Sequence, residues 1–135
     1  MRLLTIALIE AVLGGVMHNA SATDRPTITL EQLQTMFANI KSKTTWNLDG
    51  PLLWGYFFMD PDTKKLEAAG DELTRNGYHL VDIHRAKDRP TNVLHVERIE
   101  HHTPESLNQR NQELYALAER YQLGSYDGMD VGPPP

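Results

Sequence analysis

One apolar segment constrains the fold of this chain more than any other feature. Residues 52–59 read LLWGYFFM, and no polar residue interrupts them. The run has the length of a strand and is rich in aromatic residues, which favour strands. Because successive side chains of a strand point to opposite faces of a sheet, this segment needs cover on both faces. We therefore predict that residues 52–59 form a central strand.

Three other segments show the periodicity and the capping residues of helices. Thr29 and Gln32 have the spacing of a capping box, and apolar residues follow at helical intervals. Thr103 and Pro104 provide a cap residue followed by a proline at the first helical position. The predicted helices run from about 29 to 43, from the Asp60-Pro61-Asp62 segment to Asn76-Gly77, and from Thr103 to Leu123 with Gly124 closing the last one.

Two segments between the second and third helices alternate apolar and polar residues. Residues 78–86 and 92–102 are predicted to form a hairpin with one solvated face, and residues 126–131 to form the last strand. The order is strand, helix, strand, strand, helix, strand, after one extra helix. This order predicts an α+β, ferredoxin-like fold of two split βαβ units with an antiparallel sheet. The sheet face opposite its two helices is either free or covered by the extra helix.

Composition limits the classes of function that suit this chain. Its 135 residues are enough for one domain, and a second independent core is not expected. Thirteen Lys and Arg against 18 Asp and Glu give a net charge of −5 without a basic cluster, so direct binding to nucleic acid is disfavoured. The absence of cysteine excludes disulfides, thiolate catalysis and cysteine-based zinc sites.

The first 22 residues have the features of a secretory signal peptide. A positive start at Met1-Arg2 precedes a mostly apolar stretch at residues 3–17, and Ala20-Ser21-Ala22 is a small-x-small cleavage pattern. Cleavage after Ala22 would give a periplasmic or secreted protein.

Two features of the same segment leave other interpretations open. Glu10 opposes insertion of the apolar stretch, and the 15 residues are fewer than the ~20 of a membrane span, so no stable membrane anchor is expected. Translation from Met17 would instead give a cytoplasmic protein.

Five of the six histidines lie between residues 79 and 102, which raises the question of a metal site. Along one strand His95 and His101 would be about 20 Å apart, too far to share an ion, so only His84 with His95 across the hairpin remains as a pair. No catalytic motif accompanies them. We predict no metal and no cofactor, with a metal-dependent hydrolase as the weaker alternative to a binding protein.

Residues 52–132 resemble the family called regulator of RNase E activity B. The resemblance rests on Asp60-Pro61 after an apolar strand, on Asn76-Gly77-Tyr78, and on Leu117–Tyr121 leading to Tyr126-Asp127-Gly128. It implies a ferredoxin-like fold and a protein that inhibits RNase E by contact, without catalysis of its own. Met129 stands where the family typically has tryptophan, and Gly132 with three prolines replaces the extended acidic tail of the founding members.

The sequence therefore predicts a non-enzymatic regulator that binds a protein partner. The partner would be a ribonuclease in the cytoplasm; in the periplasm it would be a toxin or envelope protein, with the chain acting as an immunity-type inhibitor. The predicted division is a signal peptide at 1–22, a lead-in with the first helix and a loop at 23–51, the regulator domain at 52–132 and a tail at 133–135. The candidate partner-binding residues are Trp54, Tyr56, His84, His95, Glu97, Tyr126, Asp127 and Met129.

Overall fold

The computed structural model of the protein describes residues 6–7 and 27–135. The predicted cleavage after Ala22 and the alternative start at Met17 lie outside the described residues, as does most of the predicted signal peptide. Within the described part, no helix is long and apolar enough to cross a membrane.

The helices and the four longer strands follow each other in the order that the sequence predicts, including the extra first helix. A strand of two residues, which was not predicted, precedes them. The strands are β1 (Ile6–Ala7), β2 (Leu52–Asp60), β3 (His79–Arg85), β4 (Asn92–Glu100) and β5 (Ser125–Gly132), and the helices are α1 (Leu30–Lys43), α2 (Thr63–Arg75) and α3 (Pro104–Arg120).

The strands form one antiparallel sheet in the order β1-β5-β2-β4-β3. Strand β2 lies at its centre and pairs with β4 along its whole length, from Leu52 opposite Glu100 to Asp60 opposite Asn92. Both βαβ connections skip a neighbouring strand, which is the split arrangement. The predicted α+β, ferredoxin-like fold is confirmed, and so is the central position of residues 52–59.

The ends of the helices follow from local capping chemistry. Thr29 and Thr103 both form capping boxes, with Gln32 and Ser106 as the reciprocal partners. Asp62 caps α2 by accepting a hydrogen bond from the backbone N–H of Lys64, so Pro61 precedes the helix instead of lying inside it.

Two turns after helices use the left-handed backbone region, and one differs from the sequence prediction. Gly77 follows α2 with a φ of 93°, as predicted. Helix α3 ends at Arg120, and Gln122 takes the left-handed conformation with a φ of 53°. Gly124, predicted to close the helix, instead begins the approach to β5, where its N–H donates to Asp60 Oδ1 at 2.8 Å.

All three helices pack on one face of the sheet. The side chains of Trp54, Tyr56 and Phe58 point toward the helices and are fully buried. Phe37 of α1 stacks on Trp54 with ring centroids 5.9 Å apart, so the extra helix joins this face and does not cover the opposite one. We call the opposite face, formed at its centre by Gly55, His95 and their neighbours, the far face.

Candidate partner-binding site

Half of the predicted partner-binding residues are core residues. Trp54, Tyr56, Tyr126 and Met129 are each at most 6% exposed and lie in the hydrophobic core beneath the helices. Alternate residues of β2 point to opposite faces of the sheet, and both sets are apolar. The set that includes Trp54 and Tyr56 faces the helices. These four side chains are therefore not accessible to a partner in the folded protein, contrary to the sequence-based expectation.

The other four candidates lie on the far face or at its edge. His84 is exposed on β3, whereas His95 is buried and stacks on Phe57 with ring centroids 4.4 Å apart. Glu97 is half-buried on β4. Asp127 is the extra residue of a β-bulge between β5 and β2. The pKa of its carboxyl is raised, mainly because burial disfavours the charged form.

Polar side chains of two strands meet over one glycine at the centre of the far face. Gly55 lies opposite Glu97 on β4 and Asp130 on β5. A Cβ atom at this position would collide with Asp130 Oδ1 and lie 2.9 Å from His95 Nε2. The position therefore requires glycine, because the neighbouring side chains occupy the space above its backbone.

The histidines of the hairpin are not arranged as a metal site. Asp82, and not His84, lies directly opposite His95, and His84 Nδ1 is 2.9 Å from Asp82 Oδ1. Among residues 27–135 no group of three or more His, Asp or Glu side chains converges as metal ligands would. The described residues thus offer no structural support to the hydrolase alternative.

A partly buried charged network at the end of β4 was not anticipated from the sequence. Glu100 accepts hydrogen bonds from the Tyr56 hydroxyl at 2.8 Å and from Arg110 at 2.8 Å, and its Oε2 lies 3.2 Å from His102 Nε2. Burial alone would raise the pKa of Glu100, but the hydrogen bonds and the positive neighbours outweigh it and lower the pKa from 4.5 to about 2. Glu100 is therefore ionised near neutral pH.

The same network fixes the start of α3 against the sheet. Arg98 and Arg110 place their guanidinium groups 5.2 and 5.7 Å from the ring centroid of Tyr78. Arg98 also donates to the Asn76 carbonyl at 3.1 Å, which ties β4 to the turn after α2. The sequence does not mark this cluster, because the pattern of β4 alone does not show that Arg98 and Glu100 face the helices.

A cleft of about 320 Å³ opens beside His102. It lies between the last turns of α1, the loop that leads to β2 and the start of α3. Its walls include Phe37, Lys41, Trp46, Leu48, Asp49 and His102. We call it the His102 cleft.

Hydrogen bonds fix the loop that forms one wall of the His102 cleft. The Thr44 hydroxyl donates to the Ile40 carbonyl at 2.8 Å, and the N–H of Trp46 donates to that hydroxyl at 3.2 Å. The N–H groups of Asp49 and Gly50 both donate to Asn47, at 3.1 Å each. The turn-favouring residues of this segment predict a loop. They do not predict the cleft, because its other wall comes from the start of α3, which is distant in the chain.

These features define a small α+β domain with a surface cleft and a far face that combines polar and apolar side chains, a class of protein whose fold serves many binding functions. The chain belongs to the family described as regulator of ribonuclease activity B, whose model matches residues 30–131, which are 102 of the 135 residues. The match includes α1 in addition to the segment on which the sequence resemblance rests. A search of curated proteins found no match.

Proposed function

We propose that this protein binds a ribonuclease of the RNase E type and regulates its activity by contact, without catalysis of its own. The observation that carries the proposal is the family match, which extends from the first helix to the last strand.

The proposed contact surface is the part of the far face that β3 and β4 expose. Ile99 is 51% exposed there, and the side chain of His84 is 47% exposed. Ile99 gives this face exposed apolar area and His84 gives it exposed polar area, and protein interfaces combine both kinds of surface. The net charge of −5 favours a partner with a basic binding surface, because complementary charge raises the association rate and the specificity.

A cleavage assay with purified components tests the proposed function. We expect the full chain to bind RNase E in surface plasmon resonance and to change its rate of cleaving a labelled RNA in a saturable manner. Ile99→Asp should weaken binding at least tenfold, or about 1.4 kcal/mol, because it places a charge on exposed apolar surface of the proposed contact. Ala68→Asp, which adds the same charge on the exposed side of α2, is the matched control.

The proposal fails if the wild-type chain neither binds RNase E nor changes its cleavage rate. If the chain binds and Ile99→Asp behaves like Ala68→Asp, the ribonuclease partner stands and the far-face contact is wrong.

A further inference from the structure

We propose that β3 is an interface between two copies of this chain, which join their sheets through antiparallel pairing of their β3 strands. The interface lies at the outer edge of the sheet and does not depend on the proposed ribonuclease partner. In a two-fold interface of this kind, each copy contributes the same residues.

Strand β3 lies at one edge of the sheet. Among the described strands its only neighbour is β4, so the backbone N–H and C=O groups on its outer side pair with no described strand. Such a row of groups can pair with a strand of another chain. The strand at the other edge, β1, has two residues, whereas β3 has seven. Strand β3 therefore offers the longer edge for pairing.

This edge also exposes apolar side chains that an added strand would cover. Leu80 is 39% and Val81 is 36% exposed, and they are two of the four large hydrophobic side chains that are exposed in the described part of the chain. Ile83, opposite the buried Leu94, is only partly buried where it packs against the core. A second β3 strand would remove apolar surface from water here, which favours association.

The polar residues of β3 are complementary to themselves in one register. Asp82 lies opposite His95 and His84 follows two residues later, so both side chains are on the far-face side of the strand. When Ile83 lies opposite Ile83 of the second copy, each Asp82 lies opposite His84 of the other copy. A histidine ring can donate a hydrogen bond to a carboxylate, and such cross-strand pairs stabilise antiparallel strands. Two-fold symmetry forms this pair twice.

Two neighbouring registers are less favourable. Pairing centred on Asp82 would place two carboxylates directly opposite each other, which is destabilising. Pairing centred on Val81 would place the irregularity between Leu80 and Asp82 at the centre of the interface, where it disrupts the ladder of hydrogen bonds. Of these three registers, the one centred on Ile83 uses the regular part of the strand and pairs unlike side chains.

The dimer should be weak and should leave both far faces accessible. A strand edge of seven residues is short, and stable interfaces bury ~1,200–2,000 Å², so we expect a dissociation constant in the micromolar range. A two-fold axis perpendicular to the sheet puts the helices of both copies on the same side. The exposed Ile99 side chains of both copies therefore face the opposite side together.

Sedimentation equilibrium of the full chain measures this association. We expect the apparent mass to rise from that of the monomer toward twice that value between about 1 µM and about 1 mM protein. Asp82→Lys and His84→Asp each replace both complementary pairs by pairs of like charge, so each should raise the dissociation constant roughly tenfold or more. Asp49→Lys, which makes the same charge change in the exposed loop before β2, should leave it unchanged.

A mixture of the two variants distinguishes strand pairing from a general effect of charge. In the mixed dimer, the lysine introduced by Asp82→Lys lies opposite the aspartate introduced by His84→Asp, and the remaining His84 lies opposite the remaining Asp82. We expect an equimolar mixture to associate as strongly as the wild type. The side chains of Asp82 and His84 are 52% and 47% exposed, so the far-ultraviolet circular dichroism of both variants should match that of the wild type.

Three results would overturn the β3 interface. The first is a wild-type chain that stays monomeric up to about 1 mM. The second is an Asp82→Lys variant that associates as well as Asp49→Lys does, and the third is a mixture that associates no better than the separate variants. None of these results bears on the ribonuclease partner, which the binding and cleavage assays test separately.

Discussion

Glu100 connects more of the structure than any other single side chain described above. Its carboxylate contacts Tyr56 of β2, His102 after β4 and Arg110 of α3, and its backbone carbonyl accepts a hydrogen bond from the Trp54 indole at 3.1 Å. Loss of the charge would leave the half-buried Arg110 with only the exposed Glu113 as a carboxylate partner, and breaking such a pair is more costly than never forming it.

Replacement of this carboxylate should make stability less dependent on acid pH. The pKa of Glu100 is about 2 in the folded protein and 4.5 ordinarily, so its contribution is complete above pH 4.5 and is lost as the pH falls toward 2. We expect Glu100→Gln to lower the free energy of unfolding by about 3 kcal/mol at pH 7, and the difference from the wild type to shrink below pH 4.5. Urea unfolding at several pH values measures this.

Glu113→Gln is the matched control for that experiment. Glu113 also pairs with Arg110, at 2.9 Å, but its side chain is 54% exposed, and such pairs contribute only up to ~1 kcal/mol. If Glu113→Gln lowers the free energy of unfolding as much as Glu100→Gln does, the lower exposure of Glu100 does not explain its contribution to stability.

The faces of individual residues were harder to predict than the strands that carry them. Every position of residues 52–59 is apolar, so alternation could not reveal that Trp54 and Tyr56 face the helices. On β4 the alternation is mixed, because Glu100 lies on the buried side and is stabilised there by partners from α3. Such inward charges become predictable only when the contacts between distant segments are known.

At the scale of elements, helix starts were predicted well because capping is local. Thr29 and Thr103 each find their reciprocal partner three residues further along the chain. The end of α3 was predicted less well, because Gln122 occupies a position that glycine normally favours. Contacts between elements hold the turn in place, including a hydrogen bond from Lys65 Nζ to the Gln122 carbonyl at 3.2 Å.

A single substitution should remove the steric strain of the left-handed backbone conformation at Gln122. We expect Gln122→Gly to raise the free energy of unfolding by about 0.5–1 kcal/mol, because glycine adopts this conformation without a steric penalty that costs other residues ~1–2 kcal/mol. Thermal unfolding should show a higher melting temperature. Gln122→Ala keeps the penalty and should leave stability nearly unchanged; an equal gain in both variants would rule out backbone strain as the cause.

At the scale of the whole molecule, the cleft could not be predicted because its walls come from segments far apart in the chain. Trp46 and His102 are separated by β2, α2, β3 and β4, and only the packing of α1 on the same face as α3 brings them together. The family and the overall fold were recognisable from motifs and from the order of elements, which need no knowledge of such packing.

The mature N-terminus decides which partners the protein can meet. A ribonuclease in the cytoplasm is accessible only to a chain that is not exported, so the proposed function predicts that mass spectrometry of the protein from its native cell finds no N-terminus at Thr23. A mature chain that begins at Thr23 would contradict the ribonuclease partner and favour an inhibitor of an exported protein. Replacement of Ala22 by a bulky residue tests whether any observed cleavage depends on the predicted site.

The position of β5 beside β2 also has a consequence for biosynthesis. The strand that pairs with one edge of the central β2 follows β3, β4 and α3 along the chain, so that edge has no β5 partner until residues 125–132 have been synthesised. Pairing of strands so distant in sequence slows folding, and an apolar strand with an open edge can pair with other chains. Nascent chains that stall before Ser125 should therefore depend on chaperones far more than chains that include β5.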